Sequence, residues 1–552
     1  MKHLKLLLLT SFALCSFYVF GGGIVTNTNQ SASWARMYAR DASRDLDAVY
    51  YNPAGVTGLG QGLFLSLNNQ SIISTRKISN NYPYLNNKDY KGDVSAPVFP
   101  QFYGVYGIGK FSFSFGFNPV GGGGNATYKS GLPSFELAIS DLVPSLGTKG
   151  VTGYSTDVYF KGASTFYGYQ GGASYKINDM VSAFGGLRYV YAVNSYQGYL
   201  KNNSVILATG SVGASTFLTN LAAQATAGAA SATSTANGSL QQLVTAGAGT
   251  LTLTQAVGAG AITAAQKALL EGGLQQLTGS APAATATIQQ IQAMYKGVVP
   301  VLTATAQNAT AKAGLLKDQE ADVTQTGSGI TPIIGANINL MEDKLNIGIK
   351  YEFLTKLKLK NKTAIDITTG FNSNGTAITQ FPDGAETQSD MPALLTLGVS
   401  YKVLSKLKTS IGFRYYFDKN ADYGRSQNGI VVANKDVIDK NNYELAIGAE
   451  YNITDKLLVS AGYLLAKTGV MVGYNTDLSY ALSSNSVGVG GKYSINNRLA
   501  IDLGISYTKY LPMGRDFTHT IPSSTPTTLT LTEDYNKDVL IFGVGIDFKL
   551  AK

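Results

Sequence analysis

From about residue 343 to the C-terminus, apolar and polar positions alternate with a period of two, the mark of strands with two chemically different faces. Leu345, Ile347, Ile349, Tyr351 and Phe353 form one face, and Asn346, Gly348, Lys350 and Glu352 the other. The pattern returns at Tyr443 to Ile453 and at Leu499 to Tyr507. A short repeat precedes new runs: Tyr175-Lys-Ile-Asn-Asp, Tyr401-Lys-Val-Leu-Ser, Tyr451-Asn-Ile-Thr-Asp and Tyr493-Ser-Ile-Asn-Asn, each read as a hairpin turn. Alternating runs fall at 61–78, 98–109, 110–120, 161–178, 180–200, 325–341, 343–360, 390–404, 406–418, 441–454, 456–467, 482–496, 498–512 and 535–549, about fourteen strands.

Two segments break the pattern. Residues 22–60 show no alternation and hold the sole tryptophan, Trp34. Residues 201–324 are rich in Ala, Thr, Gly and Gln, with apolar spacing nearer helical; short amphipathic helices and a mobile surface loop fit this composition equally. By parity with the turn at Asn178-Asp179 this insertion belongs on the extracellular side.

No window after the N-terminus has the roughly 18 consecutive apolar residues of a membrane-spanning helix. A closed barrel is the remaining way for strands to cross lipid with every backbone group paired. The Gly-x-x-Tyr recurrences at Tyr189, Tyr351, Tyr415 and Tyr507 set tyrosines at matching heights, as in an interfacial aromatic girdle. Short turns at one end contrast with long polar ones, such as 361–389 and 419–440, at the other. The expected fold class is therefore all-β, a transmembrane antiparallel barrel of about 14 strands with an N-terminal plug, residues 61–552 forming the barrel. Its last run, Leu540 to Phe548, resembles the terminal assembly signal of such barrels but continues to Lys552.

Composition narrows the function. Lys2 and Lys5, an uncharged run to Phe20 and Gly21-Gly22-Gly23 read as a signal peptide over 1–21, which would remove the single cysteine, Cys15. The 552 residues carry 43 basic and 34 acidic side chains, a net charge of +9 without a basic block, so nucleic acid is excluded as a partner. One histidine, His519, would remain, placed in a Thr- and Pro-rich loop between the last two strands. That leaves no His or Cys cluster for a metal and no plausible base for a hydrolase. No catalytic residue, metal or cofactor is expected. Gly488-Val-Gly490-Gly491-Lys492 lacks the spacing of a phosphate loop, and its glycines are read as making room for the plug.

The stretch Ser33-Trp34-Ala35-Arg36-Met37-Tyr38-Ala39-Arg40, then Tyr50-Tyr51-Asn52-Pro53-Ala54-Gly55, resembles the start of the FadL family of outer-membrane transporters for long-chain fatty acids and other hydrophobic compounds. Asn118-Pro119-Val120-Gly121 and the overall run of strands extend the resemblance over most of the chain, the 201–324 insertion excepted. It implies a fourteen-stranded barrel of the Gram-negative outer membrane closed by a hatch over residues 22–60, with Trp34, Arg36, Tyr38, Asn52, Pro53 and Ala54 as hatch residues. It further implies capture of a hydrophobic ligand on extracellular loops, a luminal pocket, and lateral release at a kink in the third strand, here at Gly116, Asn118, Pro119 and Gly121. An ordinary strand end at Pro119 is the competing reading. The family usually has Gly where this chain has Arg40. The implied partners are the ligand, outer-membrane lipid and the barrel-assembly machinery.

Parity also turns Arg188, Lys350 and Arg414 inward, making them candidates for a ligand carboxylate. Glu352, Glu444, Glu450, Asp502 and Asp547 face the same way, so a salt-bridge network across the lumen competes for these cations. The rival overall reading is a passive porin or a surface adhesin that has lost transport.

Overall fold

The structure, a computed structural model, describes residues 24–550 apart from 29, 373–374, 428–429 and 523–525. The expected signal peptide lies outside the described residues. Fourteen strands form the barrel wall: β1 Gly62–Asn80, β2 Asp89–Ile108, β3 Phe111–Tyr128, β4 Gly153–Lys176, β5 Val181–Leu207, β6 Gln319–Leu340 and β7 Leu345–Glu352, continued by Lys358–Ile365. There follow β8 (Glu386–Gln388, then Leu394–Lys402), β9 Leu407–Tyr416, β10 Asn442–Asn452, β11 Leu457–Lys467, β12 Ser484–Ser494, β13 (Leu499–Tyr510, then Met513–Ile521) and β14 Thr527–Leu550. Each strand pairs antiparallel with the next, and β1 closes the barrel on β14 from Leu63↔Leu550 to Asn80↔Glu533. No open edge remains, so a wall of strands can sit in lipid.

Large apolar side chains project from the outer surface of the wall, among them Leu187, Ile334, Ile411, Ile447, Val489, Leu503 and Val544. Tyr175, Tyr401, Tyr451 and Tyr493 lie exposed beside the short turns, where an amphipathic ring suits the membrane interface. The outer face of this closed barrel is thus apolar, as contact with lipid requires.

Several boundaries differ from the sequence expectation. β2 begins at Asp89 instead of 98: Asp89 to Ser95 alternate in burial, but the outward positions Asp89, Lys91, Asp93 and Ser95 are polar where a lipid-facing strand has apolar residues. β5 runs to Leu207 and β6 starts at Gln319, so the non-barrel insertion is shorter at both ends than 201–324. It is helical. The helices Ala214–Asn237, Ser239–Thr245, Leu253–Gly258, Ala264–Thr278 and Ile288–Leu315 enclose a separate core around Leu240, Leu253, Leu274, Ile288 and Tyr295. Three of them start with a capping box, in which the hydroxyl of Thr252, Thr263 or Thr287 accepts from the backbone N–H of the glutamine three residues on and the threonine's own N–H donates to that glutamine's Oε1.

His519 also departs from expectation. It lies in the second part of β13, buried, with Nε2 2.8 Å from Asp141 Oδ1. Asp141 also accepts from Tyr82 at 2.6 Å, so the histidine braces the β1–β2 and β3–β4 connections against the last hairpin.

Candidate functional site

Residues 24–60 fill the lumen toward its short-turn end. The helix α1 (Ala32–Arg36) begins where Ser31 accepts from the Trp34 amide at 3.0 Å, a standard N-cap. Its Trp34 is buried and meets the Tyr38 ring edge-on at 4.5 Å. The helix α2 (Ala48–Tyr51) stops at Asn52, because the residue before a proline is driven out of the helical region, and Pro53 then starts a 3-10 turn.

The Asn-Pro-Ala motif pins this turn to the wall. Asn52 Nδ2 donates to Ser43 O at 2.9 Å and to Asn337 Oδ1 on β6 at 2.7 Å. Pro53 O accepts from Ser174 on β4, and Ala54 O from Ser182 on β5, both at 2.7 Å.

A belt of wall glycines receives the hatch backbone. Gly348, Gly398, Gly412, Gly448, Gly462, Gly488, Gly504 and Gly543 lie on the eight successive strands from β7 to β14. A Cβ on Gly398 would stand 2.3 Å from the Asp41 carbonyl carbon, one on Gly488 2.4 Å from Ala35 O, and one on Gly504 2.5 Å from Ala32 O. These approaches are closer than any side chain allows, so the hatch lies directly on the wall. Gly490, in the sequence that superficially suggests a phosphate loop, faces Arg36 Cβ in the same way.

Buried charge locks the contact. Arg36 donates to Asp502 at 2.8 Å, to Glu450 at 2.9 Å and to Ser460 at 2.7 Å. Arg40, where the family usually has Gly, binds Asp47 at 2.6 Å, Asp45 at 2.7 Å and Glu450 at 3.3 Å. It therefore holds the hatch's own turn together as well as joining the wall.

The three cations considered for a ligand carboxylate are all engaged by the protein. Arg188 pairs with Glu352 at 2.5 Å and with Gln170; Lys350 pairs with the same Glu352 at 2.6 Å and donates to Tyr50 O at 2.7 Å. Arg414 bridges Asp41 of the hatch at 2.9 Å, Glu444 at 3.0 Å and Tyr38 O at 2.7 Å. A ligand carboxylate arriving here would have to displace a protein acceptor from a buried pair, a costly exchange. The geometry is that of the network from wall to hatch.

The third strand carries a disruption and does not end there. Phe117 pairs with Phe102 of β2, and the next paired residues are Ala126 and Val94. Between these rungs, 95–101 of β2 and 118–125 of β3 lack mutual pairing, although β3 stays attached to β4 with register shifts around Gly121. Pro97, Pro100 and Pro119 supply no amide donor there, and Gly121 to Gly124 allow the strand to turn inward, Gly122 at φ +94° and Gly124 at φ +68°. The start of the hatch fills the inner side: Thr26 bridges Gly121, Asn27 N donates to Val120 O at 2.7 Å and Gly122 N to Val25 O at 3.1 Å. Gln30 Nε2 reaches Pro119 O at 2.7 Å, while Gly116 packs against Val49.

The same entry segment touches the long-loop end through Asp418, just beyond β9. Its carboxylate accepts from Tyr423 Oη at 2.6 Å, from Asn442 N at 3.2 Å and from Ile24 N at 3.5 Å. Burial pushes its pKa up to about 6, despite these bonds. At that end a cavity of about 1790 Å³ opens between the insertion helices, lined by Leu218, Leu221, Leu243, Leu270, Leu277 and Leu302.

Sequence reasoning passed over two inward cations, Arg76 on β1 and Lys537 on β14. They sit directly opposite each other in register, and both are buried. Parity within the last run, whose odd members below Val539 must face the lumen when Leu540 and Phe542 face outward, would have found Lys537.

The family model for "Outer membrane protein transport protein (OMPP1/FadL/TodX)" matches residues 252–550. Among solved structures the chain is similar to a Pseudomonas aeruginosa FadL homologue, at 12% identity over 97% of this chain and 100% of that one, with a TM-score of 0.55. It is also similar to the Pseudomonas putida toluene transporter TodX (14% identity, 92% and 95% coverage, TM-score 0.48) and the Ralstonia pickettii toluene transporter TbuX (14%, 91% and 94%, 0.45). No curated protein matches the chain by sequence.

Proposed function

The chain belongs to the FadL/TodX family of outer-membrane transport proteins, and from that premise we propose that it carries hydrophobic small molecules, foremost long-chain fatty acids, through the lumen to a lateral exit between β2 and β3. The observation that carries this reading is the interrupted β2–β3 ladder, with the first residues of the hatch lying across it. The β6–β7 ladder is also broken, between the Ile333↔Glu352 and Thr326↔Lys360 rungs, but the hatch bridge Thr26↔Gly121 lies at the β2–β3 break.

Passage sideways suits the cargo. Each CH₂ left in water costs about 0.8 kcal/mol, so a route from a lined lumen directly into the bilayer avoids rehydrating the chain. The hatch blocks the axial route, which disfavours an open porin. The helical insertion faces the extracellular medium in this reading, and its leucine-lined cavity is the first landing place for ligand. Residues 22–60 act as the hatch, and Gly116, Asn118, Pro119 and Gly121 border the exit.

Uptake of radiolabelled oleate and of radiolabelled toluene, measured in a host lacking its own fatty-acid uptake barrel, tests the proposal. Saturable oleate accumulation above the barrel-free host is expected. Accumulation of toluene alone would remove the fatty acid as cargo, and no excess of either would remove the transport reading.

A further inference from the structure

One extra residue on β7 turns a row of lysines to the outside of the barrel. Between the Ile333↔Glu352 and Thr326↔Lys360 rungs, β7 advances eight residues and β6 seven. An insertion of one residue exchanges the two faces of everything beyond it. Below it, Lys350 and Glu352 point into the lumen; above it, Lys356, Lys358, Lys360 and Lys362 are exposed, while Leu357 and Leu359 are buried. Without the extra residue these lysines would follow Lys350 inward and the two leucines would face out. At about 3.3 Å per residue, the four lysines make a column about 20 Å long on the outer surface.

Little offsets this charge. Glu386 stands across the ladder from Lys360, and its Oε2 lies 3.7 Å from Lys358 Nζ, with both side chains more than half exposed. An exposed pair at that distance contributes little. Asp383, on the same approach to β8, accepts from the Thr363 amide at 2.9 Å. Among the described residues, Lys356, Lys360 and Lys362 form no ion pair. Other strands carry a different balance above the apolar belt. Lys91 pairs with Asp93 on β2 at 2.9 Å, Lys201 of β5 pairs with Glu320 of β6, and β14 presents Asp534, Asn536 and Asp538.

The column also stands at a defined height. The outward side chains below the bulge are Ile347 and Ile349, then Tyr351 and Phe353. The last two meet edge-on at 4.9 Å, and Phe417 joins them with its ring 6.1 Å from Tyr351 and 5.1 Å from Tyr415. Outward aromatic clusters mark the boundary between acyl chains and head groups. Lys356 comes three residues after Phe353, so the lysines begin at head-group level on the long-loop side. On that side of a Gram-negative outer membrane the leaflet is a glycolipid with several acyl chains and phosphate groups at the base of its sugar head. Aliphatic, aromatic and cationic side chains follow one another up β7 in the order in which that molecule presents acyl chain, interface and phosphate.

We propose that Lys356, Lys358, Lys360 and Lys362, above the Tyr351–Phe353–Phe417 cluster, form a binding site for the phosphate groups of the outer-leaflet glycolipid. The site needs the long-loop end to face outward and is independent of the cargo.

Equilibrium binding of radiolabelled bis-phosphorylated lipid A to the purified full barrel tests this, in mixed micelles containing EDTA so that no divalent cation bridges the phosphates. Its dephosphorylated form, phosphatidylglycerol and inorganic phosphate serve as competitors. The unaltered protein should bind lipid A at least about tenfold more tightly than any of the three, and raised salt should weaken the binding. The fourfold Lys356→Gln/Lys358→Gln/Lys360→Gln/Lys362→Gln protein should lose about tenfold or more in affinity, and the fourfold Lys→Arg protein should stay within about twofold. Lys91→Gln/Lys201→Gln, elsewhere on the wall, should also stay within about twofold. If the fourfold Gln protein does not fold, as judged by heat-modifiable mobility, Lys356→Gln/Lys360→Gln replaces it, with a loss of at least about threefold expected. Unchanged affinity in the Gln proteins, or an equal loss in Lys91→Gln/Lys201→Gln, would overturn the site. Equal binding of the dephosphorylated form would overturn phosphate recognition, and equal binding of phosphatidylglycerol or free phosphate would overturn the glycolipid as its occupant.

Discussion

Glu450 is the residue whose loss should most cleanly separate the hatch from the wall. Its carboxylate lies on β10, is 3% exposed, and joins Arg36 at 2.9 Å, Arg40 at 3.3 Å and Lys408 at 2.5 Å. Glu450→Ala leaves these cations facing a small apolar side chain. Breaking a buried pair by removing one partner typically costs about 3–5 kcal/mol. The lower figure applies here, because Arg36 keeps Asp502 and Ser460, and Arg40 keeps Asp47 and Asp45. A loss of about 3 kcal/mol corresponds to about 150-fold more frequent release of the hatch. The strand ladders on either side of position 450 are backbone bonds and are untouched. Hydrogen exchange read by mass spectrometry should therefore show the amides of 32–52 exchanging about a hundredfold faster, with β9 to β11 unchanged. Unchanged hatch exchange would refute the assignment of Glu450 as its anchor. Equal acceleration in hatch and wall would refute the idea that the two open separately.

Gly398→Val would drive a branched side chain into the Asp41–Ala42 peptide and should expel this part of the hatch, read as increased single-channel conductance in planar bilayers at unchanged barrel mobility on gels. Asp418 ties pH to the same segment. Its pKa is raised from 3.8 to about 6 in the folded protein, so the stability it lends is complete below pH 3.8 and falls as pH rises to about 6. Exchange of the 417–425 loop should accordingly be slowest near pH 4 after correction for intrinsic rates, and Asp418→Asn should flatten the profile. Removing residues 220–310 with a short linker should leave the barrel folded, since the insertion has its own core, and should shift its thermal unfolding by only a few degrees.

The wall was legible because lipid on one side and a hatch on the other impose strict alternation on each strand. Runs such as Leu499 to Tyr507 could be read directly for that reason. Alternation fails where one of those conditions fails. At the start of β2, Asp89, Lys91, Asp93 and Ser95 hold the outward positions, so the apolar outer face by which the other strands were read is missing there. β3 vanishes from the pattern after Pro119 because Gly121 to Gly124 have no side chains to alternate, yet the backbone continues to Tyr128. The insertion helices were signalled by three Thr-x-x-Gln boxes, a local cue masked by a composition that lowers helix propensity. The charges of the lumen were placed on the correct face by parity, and so were the wall carboxylates Glu352 and Glu444 that pair with Arg188, Lys350 and Arg414. The hatch partners were not, because Asp41 and Asp47 come from an irregular segment whose path no periodicity reports. His519 seemed to lie in a loop for a similar reason: Thr- and Pro-rich neighbours conceal a strand whose outer end projects past the membrane and is capped by helices.

The central claim is that cargo leaves sideways through the β2–β3 interruption, past the first residues of the hatch. Asn27 and Val120 lie next to the Thr26↔Gly121 bridge, at a cross-strand spacing that a disulfide can span. In an Asn27→Cys/Val120→Cys protein, oxidation should fasten the hatch segment across the exit while the rest of the lumen is unchanged. The account predicts that oleate uptake stops on oxidation and returns on reduction, with oleate still bound in the oxidised protein. Uptake at the same rate in both states would contradict lateral release at this site.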